Sequence, residues 1–185
     1  MNNKTVQKRP KSKPKKIFIA AAALVLLILL TTLLPPGLLV PSAIQKGAYI
    51  PIDPSIQLRQ GLNQCGPYSV RAVINALSGT VVSPDIINKE MKWRLENQMT
   101  LPFGLTSVLH SYKINTRHRI LLLQNKNQKI RYLKWKISRG HPLILLNMTP
   151  KGIQHYFTIL GYENDNFYLY DSLQILYNNT SRITI

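Results

Sequence analysis

The chain has a single cysteine, Cys65, in 185 residues. That excludes an intrachain disulfide and any all-cysteine zinc site. Acid is also scarce: 7 Asp+Glu stand against 24 Lys+Arg, a formal net charge of +17. Residues 97–162 contain ten Lys/Arg and no Asp or Glu. Neither an internal repeat nor a Walker phosphate-binding motif is present. Hydrophobic residues make up 45% of the chain, too many for a disordered basic tail protein. The length suits one domain of ordinary size and excludes two full catalytic ones.

The positive charge has two sources. Residues 1–16 hold seven Lys/Arg and no acid, and read as a basic cytoplasmic tail. Residues 17–34 follow with 18 uncharged positions, of which only two threonines are polar. As a helix this run spans about 27 Å, close to the thickness of a bilayer core. Pro35, Pro36 and Gly37 stop it. The flanking charge predicts a single-pass cell-membrane protein with the N-terminus cytoplasmic and the following domain extracytoplasmic. A cleaved signal peptide fits less well, because the run exceeds the usual length and no good cleavage site follows; either reading exports the domain. Residues 35–49 form a linker or extended entry segment, and residues 50–185 the folded domain.

Periodicity predicts helices first and strands later. Val70, Val73, Ile74 and Leu77 recur at i, i+3, i+4 and i+7, giving a helix over 65–77 that ends at Gly79. Ser83 and Pro84 open a second helix predicted to reach about residue 97, and a third covers 106–112. Residues 117–123 read as a strand and 127–138 as a basic amphipathic helix ended by Gly140. Strands are predicted over 142–146, 154–160 and 166–170, the last two joined by a turn at 161–165. The fold class is α+β, a helical half followed by an antiparallel sheet and preceded by one transmembrane helix.

Four residues carry candidate chemistry. Cys65 begins a helix, where free N–H groups and the dipole stabilise a thiolate. His155 starts a strand, at a mouth where it can meet a helix start across a cleft. If the hairpin turn centres near residue 163, paired positions sum to 326, and Asp171 lies opposite His155 on the same face. A carboxylate there fixes the imidazole tautomer and stabilises the imidazolium. A side-chain amide at Gln60 can donate to an oxyanion together with the Cys65 N–H. Taken singly, each has an ordinary structural reading: a buried thiol, a surface histidine, a turn-capping aspartate.

Together the blocks resemble the papain-like cysteine peptidases. They are Gln60 with Cys65-Gly66-Pro67, then 140–145 (GHPLIL), 155–162 (HYFTILGY) and 168–171 (YLYD). Within that group the chain is similar to the bacteriocin-processing peptidases, family thirty-nine, which cleave double-glycine leaders. The resemblance covers about residues 50–175. It implies a papain-like fold with Cys65 as nucleophile, His155 as base, Asp171 as its orienter and Gln60 as oxyanion donor. It implies no cofactor and no metal, and a peptide or protein as substrate.

Two spacings depart from that family. The glutamine stands five residues before the cysteine rather than six, and Ser172 rather than proline follows the aspartate. With no ATPase motif and an exported domain, leader cleavage coupled to transport is not expected. Membrane contact through 17–34 is expected, and a contact with anionic lipid or wall polymer is suggested by the acid-free stretch. Nucleic acid is an unexpected partner for an exported domain. The alternative to an enzyme is a catalytically silent binding module on the same fold, with a basic face.

Overall fold

A computed structural model describes residues 18, 19, 22–24, 40, 41, 43–121, 124–148, 152–173 and 181–184. The expected tail and most of the apolar run 17–34 lie outside the described residues. Among the described residues no helix is long and apolar enough to cross a membrane.

Helix α1 (Cys65–Ser78) is buried along most of its length, from Gly66 to Asn75. It ends where Gly79 takes a left-handed φ of 70° that a side chain would resist. Helix α2 (Pro84–Glu90) is capped by Ser83, whose hydroxyl accepts from the Asp85 N–H. It stops well short of the predicted residue 97. Met91 turns to extended backbone, and residues 93–101 fold into a small hairpin. There Arg94 bridges Thr100, and the Leu101 N–H donates to the Trp93 carbonyl at 2.9 Å. Local helix propensity yields to tertiary pairing. Helix α3 (Pro102–Ser111) starts earlier than predicted, because Pro102 occupies its first turn. Helix α4 (Lys126–Ser138) opens with a complete capping box between Asn125 and Gln128.

Among the described residues the sheet has five strands: β1 (Gly47–Tyr49), β2 (Leu143–Met148), β3 (Gln154–Glu163), β4 (Asn166–Tyr170) and β5 (Ser181–Thr184). All pairings are antiparallel. β3 is the spine, with β4 and then β5 on one edge and β2 and β1 sharing the other. β1 falls within the expected entry segment. It approaches β3 closely enough that a Cβ on Gly161 would lie 2.9 Å from the Ala48 carbonyl oxygen. The predicted strand at 117–123 does not form over 117–121. Arg117, Arg119 and Ile120 are exposed there, and among the described residues no strand pairs with them to bury one face.

The hairpin is tighter than predicted. Its strands run to Glu163 and from Asn166, leaving a two-residue turn, Asn164-Asp165, with Asn164 at φ 52°. Near the turn, partners run from Glu163↔Asn166 to Gly161↔Tyr168; beyond a bulge at Leu160 they become Ile159↔Leu169 and Thr158↔Tyr170. His155 and Asp171 are therefore not directly opposite, as the sum of 326 required. Extending the inner register sets Asp171 across from Phe157, on the same face as His155 and one diagonal step away.

Both faces of the sheet are covered. On one side α1 packs against Leu160 and Tyr170 through Tyr68 and Ala72, with Ile56, and α2 and α3 close over α1 and Tyr156. On the other, Tyr132, Leu133 and Ile137 of α4 pack against Ile159, Tyr162, Phe167 and Leu169. The bulge lets Ile159 and Tyr162, three residues apart, face the same helix.

Candidate active site

Cys65 is the first residue of α1 and half-buried. Burial alone pushes its thiol pKa up. Hydrogen bonds with the His155 side chain and the Tyr156 backbone, the His155 charge and the Gly66 backbone outweigh that, and the thiol titrates below its ordinary value. His155 lies at the start of β3, and its Nε2 is 2.7 Å from Asp171 Oδ1 just past the end of β4. The two side chains are only 8% and 10% exposed, so water screens the pair little. With Nε2 engaged by Asp171, Nδ1 is left for the thiol. Burial pushes the imidazole down. The Asp171 hydrogen bond, then the Cys65 bond and both charges, carry it up to about 9.

The opposed shifts favour passing the thiol proton from Cys65 to His155. A thiolate at a helix start is a nucleophile, and an imidazolium beside it can deliver a proton to a leaving amine. The structure thus brings together three of the four predicted residues. Asp171 is also tied in by its Oδ1 accepting from the Leu173 N–H at 2.9 Å.

Gln60 is fastened to the residue after Asp171. Its N–H donates to the Ser172 carbonyl at 2.9 Å, and its Oε1 accepts from the Ser172 hydroxyl at 2.7 Å. Ser172, which departs from the family pattern, is 1% exposed. A hydroxyl holding Oε1 leaves the Nε2 hydrogens as the donating end of the amide. Gln64 caps no backbone group of α1; its Oε1 accepts from the Gly61 N–H at 3.1 Å.

The hairpin 93–101 contains site residues with no sequence signature. Arg94 donates to the Gln98 carbonyl at 2.9 and 2.6 Å, to the Asn63 carbonyl at 3.3 Å and to the Asn88 side chain. Asn63 in turn donates to the Asn97 carbonyl at 2.6 Å and holds a left-handed φ of 55°. The guanidinium is within electrostatic reach of the Cys65 thiolate. Thr100 leans on the start of α1, where a Cβ on Gly66 would come within 2.8 Å of its side chain. The Thr100 carbonyl accepts from the Tyr156 hydroxyl at 3.2 Å. One loop therefore touches the cysteine side and the histidine side at once. Its residues act through backbone carbonyls and close packing, which leave no spacing pattern to find.

Residues 48–183 match the model of the Peptidase_C39-like family, and the chain belongs to that family. Among solved structures it is similar to the peptidase domain of Streptococcus ComA, described as a bi-functional ABC transporter involved in a quorum-sensing pathway. That likeness has a TM-score of 0.53 at 18% identity, covers 69% of this chain and 84% of that one, and shows a shared fold. A C39-like peptidase from Bacillus anthracis aligns with a TM-score of 0.47 at 13% identity over 76% of this chain and 88% of that one. No curated protein matches.

Proposed function

We propose that this chain is a membrane-anchored cysteine peptidase that hydrolyses peptide bonds through an acyl-enzyme. The observation that carries the reading is the hydrogen-bonded series Cys65, His155, Asp171, with the thiol shifted down and the imidazole up. The Cys65 sulfur attacks the scissile carbonyl carbon, and a C–S bond forms. The Cys65 N–H and the Gln60 amide hold the oxyanion. His155 gives its proton to the leaving amine as the C–N bond breaks, then takes a proton from the water that releases the acid. Asp171 keeps the ring oriented and supports its charge. An amine in place of that water gives amide transfer by the same steps.

The family model supports a peptidase and hence a peptide substrate. The basic flank and the uncharged run 17–34 support the anchor and an extracytoplasmic domain. Purified full-length chain in detergent is expected to cleave an unstructured peptide library, and both Cys65→Ala and prior alkylation should abolish cleavage. Undiminished hydrolysis by folded Cys65→Ala would overturn the assignment.

A further inference from the structure

The proposed chemistry uses nothing on the outward side of α4. Arg131, Trp135 and Arg139 recur there at i, i+4 and i+8, opposite the buried Leu133 and Ile137. Trp135 is half-buried: one side of it packs against the cluster that holds Leu133 and Ile137, and cations lie over its ring. Lys136 Nζ lies 4.7 Å from its ring centroid, and Arg139 Cζ 5.5 Å. Lys136 Nζ also lies 5.7 Å from the Tyr132 ring. Arg117 and Arg119, exposed on the segment before α4, complete the group. Burial and the charges of Arg117, Arg139 and Arg119 all push the Lys136 ammonium down. Burial, Lys136 and Arg139 do the same to His141. No carboxylate is interspersed, since 97–162 lacks Asp and Glu, and Asp165 is bound by Lys134 at 2.9 Å on another side of the helix. Such crowding of like charge is relieved by an external anion.

The path of the chain says which anion lies within reach. Arg131 Nη2 donates to the carbonyls of Val40 and Pro41 at 3.2 and 3.0 Å, and Val40 is buried against the α4 core. The chain arriving from the apolar run 17–34 is therefore fastened to this helix. Six residue steps from Leu34 to Val40 reach at most about 20 Å.

We propose that the face formed by Arg117, Arg119, Trp135, Lys136 and Arg139 docks on the anionic phospholipid surface of the membrane that the run 17–34 enters. Phosphodiester headgroups supply the charge the cluster lacks, and Trp135 supplies the amphipathic ring that settles at that depth. α4 covers the sheet face opposite α1. Docking by α4 therefore leaves the sheet face covered by α1 turned away from the bilayer. The proposal rests on the anchor in the proposed function and not on the peptidase chemistry.

The test uses the full chain with Trp93→Phe, which leaves Trp135 as its only tryptophan. It is reconstituted in brominated-lipid vesicles of phosphatidylcholine alone or mixed with phosphatidylglycerol. Trp135 fluorescence is expected to shift to the blue and be quenched only with phosphatidylglycerol, and about 0.5 M salt should reverse this. Arg117→Gln, Arg119→Gln and Arg139→Gln combined should abolish the response, with circular dichroism and peptide hydrolysis unchanged. Each cation contributes about fivefold to surface affinity, so the triple variant should lose about 100-fold. Equal quenching in both vesicle types, no quenching in either, or a triple variant that behaves as the parent overturns the docking face. So does binding of soluble poly(glycerol phosphate) without any response to the lipid. Failure to partition into phosphatidylcholine vesicles overturns the anchor instead, and the phosphatidylglycerol arm then reads the α4 face alone.

Discussion

His155 Nε2 meets Asp171 Oδ1 at 2.7 Å although the two residues sit one diagonal step apart on their ladder. The carboxylate therefore reaches the ring from beyond the last paired residue of β4, and its geometry depends on side-chain length. Asp171→Ala is expected to lower kcat/KM about 10²–10⁴-fold with little change in KM. Asp171→Asn keeps an acceptor for the Nε2 proton while losing the charge, and should fall by less. Steady-state kinetics on one peptide checks both. An Asn variant as impaired as Ala would mean that charge, not orientation, is what Asp171 provides.

The opposed shifts at Cys65 and His155 set a pH signature. Alkylation of Cys65 by iodoacetamide should have its midpoint below the ordinary thiol value of about 8.5. In His155→Ala the midpoint should move up, because the hydrogen bond and charge that offset burial are gone. Activity should fall on the alkaline side as His155 loses its proton near 9.

The same shifts bear on stability. The folded His155 pKa is above its unfolded value, so its contribution is fully present below about 6.5 and lost as pH rises through about 9. The folded Cys65 pKa is below its unfolded value, so its contribution is present above about 8.5 and lost as pH falls through the folded value. Urea midpoints from pH 6 to 10 should therefore decline at the alkaline end in the parent, and less so in His155→Ala.

Arg94 joins the loop before Cys65 to the hairpin 93–101. Arg94→Ala removes charged donors from the Gln98 and Asn63 carbonyls, at a cost of about 1–3 kcal/mol of stability. It also removes a cation near the thiolate, so the alkylation midpoint should rise. Arg94→Lys should not restore the stability, because an ammonium cannot span carbonyls that the guanidinium fork reaches together. A variant with parent kinetics and parent midpoint would reduce Arg94 to a surface residue.

Contact between Gly66 and Thr100 leaves no room for a methyl group. Gly66→Ala is expected to cost about 1–3 kcal/mol by forcing the hairpin off the start of α1. Tyr156→Phe frees the Thr100 carbonyl and should cost about 1 kcal/mol. Thermal melts measure both.

Much of this was legible beforehand, wherever a signal was local. The apolar face of α1, the amphipathic run of α4 ended by Gly140 and the turn between β3 and β4 name their elements directly, and Cys65 and His155 stand at the ends of such elements. Contacts decided elsewhere were not legible. Residues 91–97 continue a helical pattern, yet pairing between Arg94 and Thr100 ends α2 early. Residues 117–121 precede an apolar run and read as a strand, but among the described residues they pair with none. β1 is three residues long and acquires its identity only from β3. The partnership of His155 and Asp171 was reached through a register two positions off. It survived because a shift of two leaves a side chain on its own face. That Gln60 would bind Ser172 follows from no spacing rule.

The bulge at Leu160 makes the span between base and carboxylate a parity lock. Without it, the outer register would continue and set Asp171 across from Thr158, on the face His155 does not share. An added residue within a paired stretch, between Thr158 and Glu163 or between Asn166 and Tyr170, should therefore disable the centre, where one added in the Asn164-Asp165 turn spares it.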